Sequence, residues 1–175
     1  VSLDGAWRGA DPKAEEMVAR DLREDARVTD KPATYSGDLA HLPAALIPLT
    51  MKPRWVVWRW EWRVTRSGGR WTKPPYQAGY PKVLAKSNDS TTWGNYADAV
   101  DAVTGGEADG IGFMMHRSEI GAGDLDHCFD YETRTIDPWA EALQDEARGA
   151  YVEATVSGKG LRIIGRVAGP ETIRR

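Results

Sequence analysis

Cysteine is almost absent: Cys128 is the only one in the chain. That excludes an internal disulfide framework and suits a reducing compartment, so the expected setting is the cytoplasm, a host cell's cytoplasm or nucleoid. It also argues against structural zinc, because only His127 adjoins Cys128 while His41 and His116 are distant in sequence. Long apolar runs are missing too. Nothing approaches the ~18 residues of a membrane span or resembles a secretory signal, so no membrane partner is expected. An initiator methionine is lacking, and Val1 marks the chain as processed or as part of something longer. The length suits one domain with a real core.

A strong net charge is also lacking, at −3, but the charges are segregated. Between Lys52 and Lys86 they are positive except for Glu61, and Arg54, Arg59, Arg63, Arg66, Arg70 and Lys73 carry most of them. Acids dominate residues 107–146, and the tail turns basic again with Lys159, Arg162 and Arg166. An acidic centre between basic flanks suits a metal site approached by a polyanion, although charge runs are also ordinary solvated faces.

Residues 1–38 read as a polar N-terminal extension with a helix over residues 12–27, and residues 39–175 as the domain proper. The apolar, proline-punctuated stretch 41–50 is expected to close over a core edge. Residues 54–63 combine tryptophan and valine with period-two alternation, a strand signature. Ser67, Gly68 and Gly69 then turn the chain, residues 70–73 return as a hairpin partner, and Pro74 and Pro75 end it because proline cannot donate to a ladder. The interleaved tryptophan and arginine read either as a β core with arginines outside or as a stacking surface for single-stranded nucleic acid. Asp89 and Ser90 precede a helix with Trp93, Tyr96, Ala97, Val100 and Val103 on its apolar face, stopped at Gly105 and Gly106. Strands are expected over 110–115, 120–126, 151–156 and 161–165. A further helix starts with Asp137 as N-cap and Pro138 at its first position, buries Trp139, Ala142, Leu143 and Ala147, and stops at Gly149.

Two motifs carry chemistry. In G-D-L-D-H-C, Asp124 and Asp126 are two residues apart, so on a strand both carboxylates project from one face. Adjacent ionised carboxylates repel, and a hard divalent cation such as Mg²⁺ or Mn²⁺ relieves that; the alternative is a turn with two solvated aspartates. In S-G-K-G-L-R, Gly158 and Gly160 free backbone N–H groups to converge on an anion, Ser157 and Lys159 add donors, and Arg162 is able to pair a phosphate bidentately. The alternative is a plain hairpin turn. The loop joins two strands and lacks Walker spacing. Asp124 and Asp126 are expected within metal-sharing distance of each other and facing the loop 157–160.

In order along the chain come W-V-V-W-R, T-K-P-P-Y, S-N-D-S-T-T-W, D-G-I-G-F-M, G-D-L-D-H-C and Y-V-E-A-T-V-S-G-K-G-L-R-I-I-G. This series, over about residues 41–167, resembles the primase-polymerase domain of phage and plasmid replication proteins, in the archaeo-eukaryotic primase superfamily. The resemblance implies an α/β (α+β) fold: a catalytic sheet like that of an RNA-recognition motif, with an N-terminal α/β module packed on it. It implies a DNA primase/polymerase: metal-dependent, template-directed nucleotidyl transfer from NTP or dNTP on a single-stranded DNA template, with a helicase domain or subunit as a further partner. Asp124 and Asp126 match the paired acidic motif and would hold two Mg²⁺ or Mn²⁺ ions as the catalytic centre. By that resemblance one ion would help activate the primer hydroxyl and the other would stabilise the leaving pyrophosphate. Ser157, Gly158, Lys159, Gly160 and Arg162 match the triphosphate grip, with Arg162 where the family has histidine; arginine keeps the charge but cannot switch protonation near neutrality. Lys73, Arg63, Arg70 and His127 are the candidate nucleic-acid contacts. The family's further acid on a later strand has no match before Arg175, so it lies beyond this chain or is missing; Glu153 is a candidate substitute, with a core-edge strand glutamate as the favoured reading. Two rivals stay open: a non-catalytic nucleotide- or DNA-binding module of the same fold, and a metal-dependent nuclease.

Overall fold

The computed structural model describes residues 31–34, 37–65 and 68–167. The helix expected over residues 12–27 lies outside them. In chain order the elements are α1 (Ile47–Thr50), β1 (Trp55–Trp58), β2 (Glu61–Thr65), β3 (Gly68–Thr72), β4 (Pro75–Gln77), β5 (Tyr80–Leu84), α2 (Tyr96–Thr104), β6 (Gly110–Phe113), β7 (Ile120–Leu125), β8 (Phe129–Asp130), β9 (Thr135–Ile136), α3 (Pro138–Glu146), β10 (Tyr151–Ala154) and β11 (Leu161–Arg166). The fold is mixed α/β, and every strand pairing among the described residues is antiparallel.

The main core belongs to a four-stranded sheet in the order β5-β4-β1-β6. Alternation along β1 sends Trp55 and Val57 to one face, where register sets Val57 opposite Tyr76 and Ile111 and Trp55 opposite Phe113. Helix α2 lays Ala99 and Ala102 on that face, so small side chains let the helix approach closely. Tyr96 and Phe113 meet Trp55 edge-on, at 4.9 and 5.2 Å between ring centroids. Leu49 of α1 closes the edge, and its carbonyl accepts the Trp55 indole N–H at 3.0 Å. The proline-punctuated stretch thus does cap the core.

Several expectations need correction. The strand expected over 54–63 breaks at Arg59 and Trp60 into β1 and β2, which belong to different sheets. The break is fixed by Asp109, whose carboxylate accepts the Trp60 backbone N–H at 2.8 Å. The prolines do end the return strand, which stops at Thr72, but Pro75 also opens a further strand, β4, at the first residue of which its missing N–H costs least. The return strand β3 begins at Gly68, paired with Thr65, rather than at residue 70.

Asp89 caps only a 3-10 turn over Ser90–Thr92; α2 starts at Tyr96 with Asn95 as its cap, the Asn95 side chain accepting from the Asp98 N–H at 2.8 Å. Trp93 therefore precedes the helix, and Ala97 is exposed while Ala99 and Ala102 are buried. On α3 the buried residue is Ala140; Trp139, Ala142 and Leu143 are exposed. The helix ends at Glu146, ahead of Gly149.

A second sheet has the order β10-β11-β7. One face, through Val152, Leu161 and Leu125, packs with Cys128 and Ala140 of α3 into a small separate core. The strands β2 and β3 form a hairpin, and β8 and β9 a short ribbon. Lys31 and Thr34, from the side of the expected extension, reach the first sheet's surroundings: the Lys31 ammonium pairs with Asp109 at 2.5 Å, and Trp60 donates to the Thr34 hydroxyl at 3.0 Å.

Candidate active site

The polar face of the second sheet gathers the motif residues. Register places Glu153 of β10 opposite Arg162 of β11, and Arg162 opposite Asp124 of β7. Directly opposed residues share a face, so an acid, an arginine and an acid run in a row across three strands. Arg162 grips Asp124 with two contacts, Nε to Oδ1 at 2.6 Å and Nη2 to Oδ2 at 3.3 Å, and its Nη1 lies 3.9 Å from Glu153 Oε1. The Asp124 contact holds the guanidinium above even its ordinary range. Burial pushes the Glu153 carboxyl up; Arg162 and Tyr151 partly offset this, and the nearby Asp124 charge adds to it.

Asp126 is not on the strand. β7 ends at Leu125, and Asp126 and His127 form a turn in which His127 takes a left-handed φ of 56°. The shared-face argument therefore holds for Asp124 alone, although the Asp126 charge still acts on Arg162. Both aspartates and His127 are exposed. Cys128 is buried, with its thiol donating to the Leu125 carbonyl at 3.1 Å.

The loop 157–160 sits beside this turn. A Cβ on Gly160 would come within 2.5 Å of the Leu125 carbonyl oxygen, so glycine is what allows the loop to seat there. Gly158 adopts φ 69°, and its N–H is spent on the Thr155 carbonyl at 2.8 Å, which removes it from the donors an anion would meet. The Gly158 and Lys159 carbonyls accept from Tyr131 and Phe129, tying the loop to the ribbon that follows the aspartates. The Ser157 and Lys159 side chains are exposed, and Ser157 Oγ lies 3.1 Å from Thr155 Oγ1.

Lys73 reaches the site from another element. Its ammonium lies 4.9 Å from the Trp60 ring centroid and 5.5 Å from that of Trp58. Though the residue as a whole is exposed, burial of its charged end lowers its pKa; Arg162 repels it in the same direction, while Asp124 opposes the shift. Arg63 and Arg70 lie instead on the hairpin, opposite each other.

Other members of the basic run hold the fold together. Arg54 donates to the carbonyls of Met114, His116 and Arg117, and Arg59 covers the Tyr76 ring at 4.2 Å. Sequence reasoning set Glu153 aside, yet a signal existed: counting back across the turn from Leu161 pairs Ala154 with it and so puts Glu153 against Arg162.

Hard carboxylate oxygens on Asp124 and Asp126 match the donors a magnesium- or manganese-like ion takes. Among the described residues, however, no three His, Cys, Asp or Glu side chains are disposed to hold a metal ion, and Arg162 already occupies Asp124. No helix among them is long and apolar enough to cross a membrane.

The chain is a mixed α/β protein in which one sheet face carries Glu153, Arg162 and Asp124 in a row. No family model matches the chain. It is 32% identical over 121 residues to a DNA Primase-polymerase of Nitratiruptor phage NrS-1, a match covering 69% of this chain and 16% of that protein. The similarity supports a relationship to phage primase-polymerases, and the chain spans only a small part of that relative's length.

Proposed function

We propose that the chain is the nucleotidyl-transfer domain of a phage-type DNA primase/polymerase, with the sheet-on-module architecture of the archaeo-eukaryotic primases. The observation that carries this reading is the register that sets Asp124 against Arg162 with the loop 157–160 seated at the end of the same strand. Asp124 and Asp126 would hold the divalent metal, which supplies activation of a hydroxyl and charge neutralisation at a leaving pyrophosphate. Arg162 is placed to exchange its carboxylate partner for a triphosphate oxygen, since its bidentate fork suits either anion. Ser157 and Lys159 add exposed donors beside it. The template would be single-stranded DNA.

A second reading, a binding module of the same fold, is favoured by two observations: Arg162 neutralises Asp124, and the described acids do not form a three-ligand set. Incorporation of labelled nucleotides with Mn²⁺ on a single-stranded template separates the two. The polymerase reading expects incorporation to fall by at least 10²-fold in Asp124→Ala with the fold intact. Nucleotide and DNA binding without incorporation by the unaltered full chain would establish the module instead.

A further inference from the structure

The hairpin of β2 and β3 carries two of the candidate nucleic-acid contacts in an arrangement the site itself does not explain. Arg63 and Arg70 are directly opposed across its strands, on one face and both exposed. Like charges in that position destabilise a sheet unless something anionic lies over them. The acid on the same face, Glu61, is already engaged by the Tyr76 hydroxyl and by Arg59, and reaches Arg63 only at 3.8 Å.

The reverse face is what holds the arm in shape. Trp62 and Trp71 are opposed there, with ring centroids 5.6 Å apart and edge-to-face geometry, and the Trp62 ring covers Gly69 so closely that a Cβ would clash at 2.0 Å. Alternation thus sorts the interleaved tryptophans and arginines, with aromatic stiffening on one side and paired cations on the other. Trp62 and Trp71 do not join the main core, which among the described tryptophans takes Trp55 alone.

Strand β3 also points at the site. Lys73 follows its last residue, only three residues, or about 10 Å of extended chain, beyond Arg70. There its ammonium rests near Trp58 and Trp60 and feels the charges of Asp124 and Arg162. A phosphate chain lying on the hairpin would run from Arg63 and Arg70 past Lys73 to the aspartates.

We propose that the β2–β3 hairpin is a single-stranded-DNA-binding arm, its opposed Arg63 and Arg70 gripping consecutive backbone phosphates and leading the strand by Lys73 to Asp124. This rests on the polymerase reading for the direction of travel, but not for the binding itself.

The test is fluorescence anisotropy of a labelled oligothymidylate against the full chain over a series of salt concentrations. Arg63→Gln with Arg70→Gln is expected to weaken binding about tenfold near 0.1 M salt. It should also make the log–log salt slope shallower by about 1.4, since on a single strand every phosphate left without its arginine lowers the slope by roughly 0.7. The lysine pair at the same positions, Arg63→Lys with Arg70→Lys, should restore the slope, which a merely structural role for the arginines would not predict. Unchanged affinity and slope in a folded glutamine variant overturn the arm. So does a duplex of equal length bound as tightly as the single strand, because a two-stranded ribbon also fits a major groove. Nucleotide incorporation measured on the same proteins keeps the two readings apart. Hairpin-dependent DNA binding without incorporation by the unaltered chain supports the arm and removes the polymerase; incorporation with hairpin-independent binding does the reverse.

Discussion

The two main sheets use their faces differently. The four-stranded sheet buries Trp55, Val57 and Tyr76 under α2, and its most central side chain, Val57, is fully enclosed. Against one face of the three-stranded sheet the buried apolar residues, among the described ones, are Cys128, Ala140 and the sheet's own Leu161, and its other face displays Glu153, Arg162 and Asp124. Buried apolar contact is concentrated in the first and exposed charge in the second. Burying charges costs heavily unless they are paired and hydrogen-bonded, so a site that must exchange ionic partners belongs on a face left open.

The largest effect that would break this contrast is in the first sheet. Trp55→Ala removes the ring that meets Tyr96 and Phe113 and the indole that donates to Leu49, and truncations of this kind cost about 3–5 kcal/mol. Chemical denaturation should show a loss of that order. Asp124→Ala, which the polymerase reading expects to abolish incorporation, should by contrast cost about 1 kcal/mol or less, because its ion pair is half exposed. Comparable losses in the two variants would mean that the second sheet is as much a structural core as the first.

Next in size is the seat of the loop. Gly160→Ala sets a methyl against the Leu125 carbonyl, a backbone atom that cannot rotate away, and overpacking of this sort costs about 1–3 kcal/mol. The displacement falls between the loop and Asp126. The variant should therefore lose affinity for a nucleoside triphosphate out of proportion to its loss of stability, as read by equilibrium binding beside thermal unfolding. Full triphosphate affinity in the destabilised protein would separate the loop from the aspartates.

Much of the second sheet was legible because its strands are bounded by strong local signals: Asp137 and Pro138 open α3, and the glycines of 157–160 divide β10 from β11. Local pattern could not say which strand lies beside which. Asp124 stood out as a candidate from its motif and Glu153 could be counted across the turn to Arg162, whereas the placing of β7 beside β11, which completes the row, is a non-local fact. Similarly, Asp126 resembled a strand residue by spacing alone until His127 took a left-handed turn. The first sheet was harder. Prolines at 75 and 81 hid β4 and β5, and β1 and β2 read as one strand because the break is imposed by Asp109 from far along the chain. On α2 the apolar pattern rightly put Tyr96 and Val103 against the core, but on α2 and α3 it missed the buried alanines Ala99, Ala102 and Ala140, since close approach to a sheet selects small side chains that hydrophobicity alone undervalues.

The smallest effect sharpens the contrast through pH. The Glu153 carboxyl is raised above its ordinary value of 4.5 chiefly by burial, with Arg162 and Tyr151 only partly offsetting that cost. The folded chain therefore binds this proton more tightly than the unfolded chain does. Its contribution is fully present below the unfolded value and is lost as pH rises through the folded one, so ionised Glu153 weighs against folding near neutrality. Glu153→Gln keeps the shape and removes that titration. Thermal unfolding should show the variant matching the parent in acid and gaining a degree or so near neutral pH, on a scale where about 2–4 °C corresponds to 1 kcal/mol. A neutral-pH loss instead would mean that the Glu153 charge stabilises the sheet through Arg162 more than burial penalises it. Nucleotide incorporation by the same variant adds the functional arm: a fall much larger than the change in stability would make Glu153 part of the working face, and parent-like activity would leave Asp124 and Asp126 as the only acids the reaction needs from the described chain.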